Sequence, residues 1–383
     1  MNRQTGLHLA ICTHNPELWG NRMLDQSLAG LYPGCGWPKE LRQCWTAGDV
    51  VTGDVAASNM AHGTWSANDV LIIQADGSKQ GRELEQMGCR AFLHICWESP
   101  LYAFRVYDNV SKGITPYAFH QIAGQPKNKP YINTDSPTRM ACLPGSQKDW
   151  VRSSKHRHTH QRRHRIALIA AYKPLRSELK RCIQERQWRS SPFGAVTDIR
   201  RIKSKTYRQA KTRNTNTLRL CLLQQLSEAL PVDLYGKGWE RCEQLADQRT
   251  QWLGPCGDKQ TTLASYAYSL VLENCIWPGY HTEKLAQAIA AGTIPITCLD
   301  AETEKQIPHD CYIRIEYKDL SATTQILQSM CHADRAKLSK AGERFLASSF
   351  AKNYFEVDYA QDIADKALRF AEQLDTCTAH RQR

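Results

Sequence analysis

No stretch of the 383-residue sequence approaches the roughly 18–20 consecutive apolar residues that a membrane-spanning helix requires. A short apolar run, Leu7 to Cys12, lies near the start, but it lacks the basic region and the small-residue cleavage site of a signal peptide. We therefore interpret this run as a first β-strand. These absences predict a cytoplasmic location.

Closely spaced cysteine pairs are also absent. The 15 cysteines are odd in number, and no two of them form a Cys-x-x-Cys motif. Several lie in apolar segments, for example Cys96, Cys221 and Cys298, where a free cysteine behaves as a small hydrophobic residue. The pattern favours buried, reduced thiols over a disulfide framework or a structural zinc site.

Acidic residues are scarce in one segment only. Residues 152–219 contain 20 Lys and Arg but only three Asp and Glu. The rest of the chain contains 30 Lys and Arg and 35 Asp and Glu. This segment therefore accounts for the net charge of +12. Its part at 152–213 could contact anionic lipid at the inner face of the membrane. A nucleic-acid- or membrane-binding protein that acts through this surface is the alternative from a different functional class.

The run at 152–165 contains four histidines and several arginines. It lacks the interleaved aromatic residues that stack on bases, so we expect no nucleic-acid partner. A metal site is one interpretation of the histidines, but a solvated basic linker is favoured and no bound metal is predicted. The histidines are His156, His158, His160 and His164.

Strands and helices alternate in both halves of the chain. The first half has apolar runs typical of buried parallel strands at 7–13, 69–75 and 90–97, with helix-forming residues at 82–87. In the second half, strands are predicted at 166–172, 232–235, 269–272 and 294–298, and helices at 174–188, 216–229 and 283–291. Apolar residues at Tyr359, Ile363, Phe370 and Leu374 predict a long amphipathic helix near the end.

Prolines and the basic run interrupt this alternation between residues 124 and 165. The predicted fold is α/β, with two Rossmann-like domains facing a cleft, where open α/β sheets bind their ligands. The predicted divisions are an acceptor-side domain at 1–150, a basic linker at 151–165, a nucleotide-binding domain at 166–350, and a C-terminal helix and tail at 351–383.

Residues 266–297 (YAYSLVLENCIWPGYHTEKLAQAIAAGTIPIT) contain the most informative pattern. An apolar strand ends at Glu273, which is therefore expected at the carboxyl edge of a sheet. After a loop, a helix begins with Thr282 as its N-cap and Glu283 in its first turn. The unpaired N–H groups of the helix start, with Lys284 beside them, predict an anion-binding site. From spacing alone, an ordinary capped helix with a solvated lysine is the alternative.

This run resembles the signature of the α-1,3/1,4-fucosyltransferases, glycosyltransferase family 10. Their pattern is a tyrosine-containing strand, then Glu-Asn, Tyr-x-Thr-Glu-Lys and Ala-Gly-x-x-Pro-Ile/Val. Asp233–Gly238 resembles the family's Asp-x-Tyr-Gly-x-Gly strand end, and Lys259 resembles the lysine before the core motif. His281, Ala267-Tyr268 and Thr297–Leu299 depart from the pattern. The matching positions are Tyr266, Glu273, Asn274, Tyr280, Thr282, Glu283, Lys284, Ala291, Gly292, Pro295 and Ile296.

The resemblance implies a GT-B type glycosyltransferase with GDP-fucose as its donor. Carried over by position, it implies that the diphosphate is bound by Arg219, Asn274, Tyr280 and Lys284, and that Glu283 lies near the ribose or the fucose. The connection from 172 to 214 is longer than in the family, so the register of Arg219 is open. A neighbouring basic residue (Arg208, Lys211 or Arg213) could replace it, or Arg219 could face solvent.

Glu98 directly follows the predicted strand at 90–97, in a Glu-Ser-Pro sequence similar to one in the family. The resemblance implies that Glu98 is the general base of an inverting transfer of L-fucose to an acceptor glycan or glycolipid, in α-1,3 or α-1,4 linkage to a GlcNAc-type sugar. A strand-terminating carboxylate is the alternative. The chain has no Asp-x-Asp pair, so no metal cofactor is predicted. The same scaffold with another nucleotide sugar, or without catalysis, stays open.

Overall fold

The computed structural model describes residues 6–25, 36–75, 79–96, 98–112, 119–122, 141–154, 162–172, 203–242, 249–316 and 319–381. The strands are β1 (His8–Cys12), β2 (Val50–Thr52), β3 (Val70–Ala75), β4 (Arg90–Cys96), β5 (Phe119–Ile122), β6 (Arg163–Ile169), β7 (Val232–Tyr235), β8 (Thr250–Trp252), β9 (Tyr266–Val271), β10 (Ile294–Thr297) and β11 (Ile313–Arg314). The α-helices are α1 (Trp37–Cys44), α2 (Gly53–Ala61), α3 (Lys79–Gln86), α4 (Phe104–Lys112), α5 (Gln147–Ser154), α6 (Lys205–Thr212), α7 (Asn216–Ala229), α8 (Lys259–Ala264), α9 (Glu283–Ala290), α10 (Ala301–Glu304), α11 (Leu320–Ser329), α12 (His332–Ala347) and α13 (Glu356–Arg381).

Contacts divide the chain into two units. Unit 1 contains Met1–Glu98, Asn109–Arg152 and Ala347–Arg383, and unit 2 contains Ser99–Asp108 and Ser153–Leu346. Each unit contains one parallel sheet with helices packed on it, so the predicted α/β fold with two Rossmann-like domains is confirmed.

The sheet of unit 1 has the strand order β2-β1-β3-β4-β5, and every neighbouring pair is parallel. β1 lies between β2 and β3, so the chain extends the sheet first on one side of β1 and then on the other. The sides of β1 and β3 that carry Leu9 and Ile73 pack in the main core, where α1 and α13 cover them. The polar residues that follow β1 and β4 therefore emerge at one edge.

The sheet of unit 2 has the order β11-β10-β9-β6-β7-β8 and is also parallel in every pair. β6 is the first strand of this unit along the chain and lies at the centre. β7 and β8 extend the sheet on one side, and β9 to β11 extend it on the other. The strand order therefore reverses between β6 and β9, which is the topological switch point of this doubly wound sheet.

The division into units differs from the predicted domains in two places. Ser99–Asp108 belongs to unit 2, although the flanking segments belong to unit 1. The C-terminal helix α13 is not a separate tail, because Tyr359 and Ile363 are fully buried in the core of unit 1 beside Leu41. Apolar periodicity predicted this helix but could not show which sheet its apolar side would cover.

The predicted linker at 151–165 is wrong at both ends. Residues 151–154 complete α5, and Arg163–Arg165 form the start of β6. Arg163 and His164 are exposed there, so the first part of this strand shows no apolar run in the sequence. The predicted helix at 174–188 and the histidines at 156, 158 and 160 lie outside the described residues.

Other predicted elements agree in position with the structure to within a few residues. Predictions at 216–229 and 232–235 coincide with α7 and β7, while β9 begins at Tyr266, three residues before the predicted start at Ser269. No helix in the described part of the chain combines the length and the apolar character needed to cross a membrane.

Candidate functional site

The loops that follow β6 and β9 meet at the switch point of unit 2. One is formed by residues 170–172, and the other begins at Leu272 and extends to Thr282, where α9 starts. In open α/β sheets the strand ends at such a point diverge and leave a crevice, which is the usual place for a ligand. Four of the residues predicted to bind the donor, namely those at 274–284, lie in this second loop or in the first turn of α9.

Arg219 of α7 connects these two loops. Its side chain is buried, Nη1 donates to the carbonyl of Ala171 at 3.4 Å, and Nη2 donates to the carbonyls of Leu272 at 3.3 Å and Glu273 at 3.5 Å. Burial lowers the pKa of Arg219, and the Glu273 carboxylate opposes that shift. Arg219 therefore does not lie on a solvated helix face, and it places a cation at the switch point.

Glu273 is the centre of the polar contacts in this loop. Its side chain is nearly buried, and Oε1 accepts hydrogen bonds from the backbone N–H of Thr282 at 2.7 Å and from its hydroxyl at 2.9 Å. Oε2 accepts from Lys284 Nζ at 2.8 Å and from the Thr282 hydroxyl at 2.9 Å. The start of α9 thus already binds one anion, which is a carboxylate of the same chain.

Thr282 stands at the predicted N-cap position, but its side chain makes no capping hydrogen bond. The hydroxyl is directed to Glu273 and also accepts a hydrogen bond from Lys284 Nζ at 2.7 Å. The spacing of a capping residue predicted the position of the helix start correctly. It could not show that a carboxylate nine residues earlier competes for the same hydroxyl.

Lys284 lies between two carboxylates. Nζ is 2.8 Å from Glu273 Oε2 and 3.5 Å from Glu283 Oε1, and Lys259 Nζ is also 3.5 Å from Glu283 Oε1. Burial alone would lower the pKa of Lys284, but Glu273 and Glu283 outweigh it and raise that pKa above its ordinary value. We call Arg219, Lys259, Glu273, Glu283 and Lys284 the charged cluster; its three cations and two carboxylates leave one net positive charge.

Glu283 stays ionised in this environment. Burial would raise the pKa of Glu283, but Lys284 and Lys259 outweigh it and lower that pKa to about 2. Because folding lowers the pKa of Glu283, its carboxylate stabilises the fold at pH values above the ordinary pKa of 4.5. This contribution is lost as the pH falls from 4.5 towards 2.

Asn274 and Tyr280 lie in the same loop. The carbonyl of Asn274 accepts a hydrogen bond from the N–H of Thr215 at 3.2 Å, and the Thr215 hydroxyl donates to the carbonyl of Glu273. Tyr280 is buried, and its N–H donates to the carbonyl of Trp277 at 2.9 Å. These hydrogen bonds fix the path of the loop that leads from Glu273 to the start of α9.

Glu98 lies in unit 1 and is exposed directly after β4. The next residue, Ser99, begins the segment that belongs to unit 2, where Asp108 accepts a hydrogen bond from the Thr206 hydroxyl at 2.6 Å and Phe104 packs edge-on against Tyr207. The structure thus brings the predicted donor-binding residues together within unit 2, and it places Glu98 one peptide bond from a segment of that unit.

Asp233 and Tyr266 match the family motif, but in the structure they make hydrogen bonds within the sheet. Asp233 accepts hydrogen bonds from Arg165 Nε at 3.0 Å and from the Tyr266 hydroxyl at 2.7 Å, and Arg165 Nη2 completes a bidentate pair. The Tyr235 and Tyr266 hydroxyls are 2.8 Å apart. These residues tie β6, β7 and β9 together, so Asp233 and Tyr266 hold the sheet that carries the charged cluster.

Sequence reasoning gave Glu273 and Lys259 no role in binding, although both were motif matches. One sequence feature could have indicated a role for Glu273, namely its position at the carboxyl end of a buried strand, just before a predicted helix start. Among the described residues, no group of three or more His, Cys, Asp or Glu is placed to hold a metal ion.

Residues 201–340 match the family model described as glycosyltransferase family 10 (fucosyltransferase) C-term. The chain is therefore a glycosyltransferase. The resemblance to the family 10 fucosyltransferases is confirmed over this segment, which contains the whole charged cluster. A search of curated protein sequences finds no match.

Similar solved structures include several nucleotide-sugar enzymes. Anabaena Alr3699/HepE in complex with UDP and glucose has a TM-score of 0.49 and 10% identity, over 94% of this chain and 98% of that chain. An α1,3-fucosyltransferase with GDP-fucose has a TM-score of 0.42 and 13% identity, over 97% and 92%. A UDP-forming α,α-trehalose-phosphate synthase from Burkholderia xenovorans has a TM-score of 0.47 and 10% identity, over 82% and 77%. At these values the likenesses assign no substrate to this chain.

Replacing Glu273 by Gln is expected to lower the free energy of unfolding by about 2–4 kcal/mol, because a buried charged hydrogen-bond acceptor of Lys284 is lost. Glu302→Gln is the matched control: its carboxylate is 2.7 Å from Lys305, but both side chains are more than half exposed. The control should change stability by less than about 0.5 kcal/mol. Urea unfolding measures the free energy of unfolding of both variants. If the two substitutions lower it by the same small amount, Glu273 does not have this structural role.

Proposed function

We propose that the protein transfers L-fucose from GDP-fucose to a hydroxyl of an acceptor glycan or glycolipid, with inversion, in α-1,3 or α-1,4 linkage to a GlcNAc-type sugar. The observation that carries this proposal is the charged cluster at the switch point of unit 2, inside the segment that matches the fucosyltransferase family. The family match supports the donor, and the cluster supports the binding of a diphosphate.

The cluster has the chemistry to stabilise a leaving diphosphate. Lys284 has three N–H donors, and Glu273 and Thr282 accept two of them within the described residues. The third, for which the Glu283 carboxylate lies 3.5 Å away, can donate to a phosphate oxygen when the donor binds. As the bond from fucose to GDP breaks, negative charge grows on the β-phosphate, and the fixed ammonium, with Arg219 nearby, stabilises it.

The acceptor hydroxyl needs a base while its oxygen attacks C1 of fucose. In this proposal Glu98 accepts that proton, which requires its carboxylate to come within hydrogen-bond reach of the hydroxyl in the complex. Asn274 and Tyr280 also bind the diphosphate in this proposal, and Glu283 lies near the ribose or the fucose. GDP then leaves carrying the electron pair of the broken glycosidic bond.

A panel of donors tests the proposal. GDP-fucose, GDP-mannose and UDP-sugars are incubated with the protein and an array of acceptor glycans that includes N-acetyllactosamine, and NMR identifies the linkage of any product. Turnover with GDP-fucose supports the proposal. Turnover with another donor and not with GDP-fucose would identify the same scaffold acting on a different nucleotide sugar.

The reaction is expected to need no divalent metal, because lysine and arginine supply the positive charge at the diphosphate. Initial rates with GDP-fucose should stay within about twofold of the untreated protein when EDTA is added, since the stabilising cations are covalent parts of the chain. Complete loss of turnover in EDTA, with recovery on adding Mg²⁺ or Mn²⁺, would refute metal independence.

A cytoplasmic location with peripheral contact at the inner face of the membrane is part of the proposal. The basic segment 152–213 would attract anionic lipid. Much of that segment lies outside the described residues, so its charge is the support. Such contact would bring the enzyme close to a lipid-linked acceptor. A nucleic acid is not the expected partner.

A further inference from the structure

The loop at residues 13–25, which we call the β1 loop, lies at the carboxyl edge of the unit 1 sheet. It follows β1, whose neighbours are β2 and β3, so it begins at the switch point of this sheet. The backbone N–H of Thr13 donates to Gln80 Oε1 of α3 at 3.4 Å. By topology, this is the position in unit 1 where a ligand is expected.

The β1 loop is held in one conformation. Asn21 has a φ of 63°, the left-handed region that a non-glycine residue rarely adopts. Its side-chain oxygen accepts from the N–H of Thr52 at 2.9 Å, and its own N–H donates to the Thr52 hydroxyl at 3.0 Å. Gly20 N–H donates to Asp54 Oδ2 at 2.8 Å. Contacts with the end of β2 and with α2 therefore fix the turn at Gly20 and Asn21.

Trp19 is the aromatic residue that this loop presents to solvent. Its side chain is 37% exposed, whereas Leu18, Met23 and Leu24 of the same loop are buried in the unit 1 core. Its indole N–H donates to the carbonyl of Thr13 at 3.2 Å, which fixes the orientation of the ring. The ring is therefore held in a defined orientation while more than a third of its surface stays accessible to a ligand.

We propose that the Trp19 ring is the stacking platform for a hexopyranose of the acceptor. This inference rests on the proposed function. The C–H groups on one face of a pyranose form an apolar surface that packs on an aromatic ring, and a ring fixed in advance loses little entropy on binding. His14 and Glu17, exposed in the same loop, can exchange hydrogen bonds with the sugar hydroxyls.

The test compares Trp19→Ala, Trp19→Phe and Leu368→Ala, the last being a control for the loss of an exposed apolar side chain of unit 1. Acceptor KM and kcat are measured at saturating GDP-fucose on the glycan that the wild type uses, with N-acetyllactosamine as the first probe. Calorimetry gives the Kd of GDP for each variant. We expect the acceptor KM of Trp19→Ala to rise about tenfold with the GDP Kd unchanged, Trp19→Phe to recover most of the loss, and the control to behave as wild type.

An unchanged acceptor KM in Trp19→Ala would overturn the inference, as would a parallel weakening of GDP binding, which would indicate a general structural defect. If the Trp19→Ala variant keeps its acceptor KM but no longer binds phosphatidylglycerol vesicles, the ring contacts a membrane surface and not a sugar. A wild type that binds GDP and hydrolyses GDP-fucose, but transfers fucose to no glycan on the array, would overturn the saccharide platform and leave the donor site of the proposed function in place. A wild type that binds no GDP would refute the proposed function instead.

Discussion

Replacing Lys284 by Met is expected to lower kcat/KM for GDP-fucose on the order of 10²–10³-fold, because in the proposed function the ammonium stabilises the negative charge that develops on the leaving diphosphate. Met keeps the length and apolar volume of the side chain but removes the charge. The Kd of GDP should also rise, since the proposal has the bound diphosphate contact the same group. Steady-state rates and calorimetry on the full chain measure the two effects.

Lys305→Met is the matched control for this experiment. Lys305 also lies 2.7 Å from a carboxylate, that of Glu302, but the pair is exposed and outside the charged cluster. The control should retain the wild-type rate. A loss of less than about threefold in Lys284→Met would show that this lysine serves the loop structure and not the diphosphate.

The pKa of Lys284 adds a pH dependence to this prediction. Because Glu273 and Glu283 raise that pKa against the opposing effect of burial, the lysine stays protonated at alkaline pH. Activity should therefore not fall between pH 8 and 10 through loss of this charge. The same ion pairs contribute stability that is fully present below the ordinary lysine pKa of 10.5, and this contribution is lost as the pH rises from there through the raised value.

Replacing Glu98 by Gln is expected to lower kcat by about 10²–10⁴-fold, the range typical of a lost general base. The GDP Kd should not change, because in the proposed function Glu98 contacts the acceptor hydroxyl and not the diphosphate. Initial rates at saturating substrates, with GDP calorimetry alongside, measure these effects.

Glu83→Gln provides the control for this second experiment. Glu83 is an exposed carboxylate of the same unit, paired with Lys79 on α3, and its loss should leave kcat unchanged. A Glu98→Gln variant with wild-type kcat would mean that another residue is the base. It would leave the proposed transfer itself in place if fucosylated product still forms.

The sequence was sufficient to predict the fold class and the position of the loop that precedes α9. Long apolar runs identified β3, β4 and β10, and helical periodicity identified α7 and α13. Where a strand has three residues, as in β2, or begins with exposed charges, as in β6, no periodic signal exists. Those elements become strands only because neighbouring strands supply hydrogen-bond partners.

The sequence pattern could not predict the contacts within the charged cluster, for a related reason. The sequence predicted an anion site at the start of α9, but the carboxylate of Glu273 already accepts hydrogen bonds there. Spacing along a chain does not reveal which of several groups reaches a given N–H. The same limit applies to Arg219, whose three carbonyl contacts join two loops about 50 residues away in the chain.

The placement of α13 has a consequence for how the chain is made. Unit 1 begins with the first strand, yet part of its core is supplied by Tyr359 and Ile363. During synthesis, the side of β1 and α1 that meets this helix has no covering until residues 356–381 have left the ribosome. Unit 2, which ends at Leu346, can complete its sheet earlier. We therefore expect the amino-terminal half to be the last part to reach its native packing, and removal of the last helix to affect the first strands of the protein.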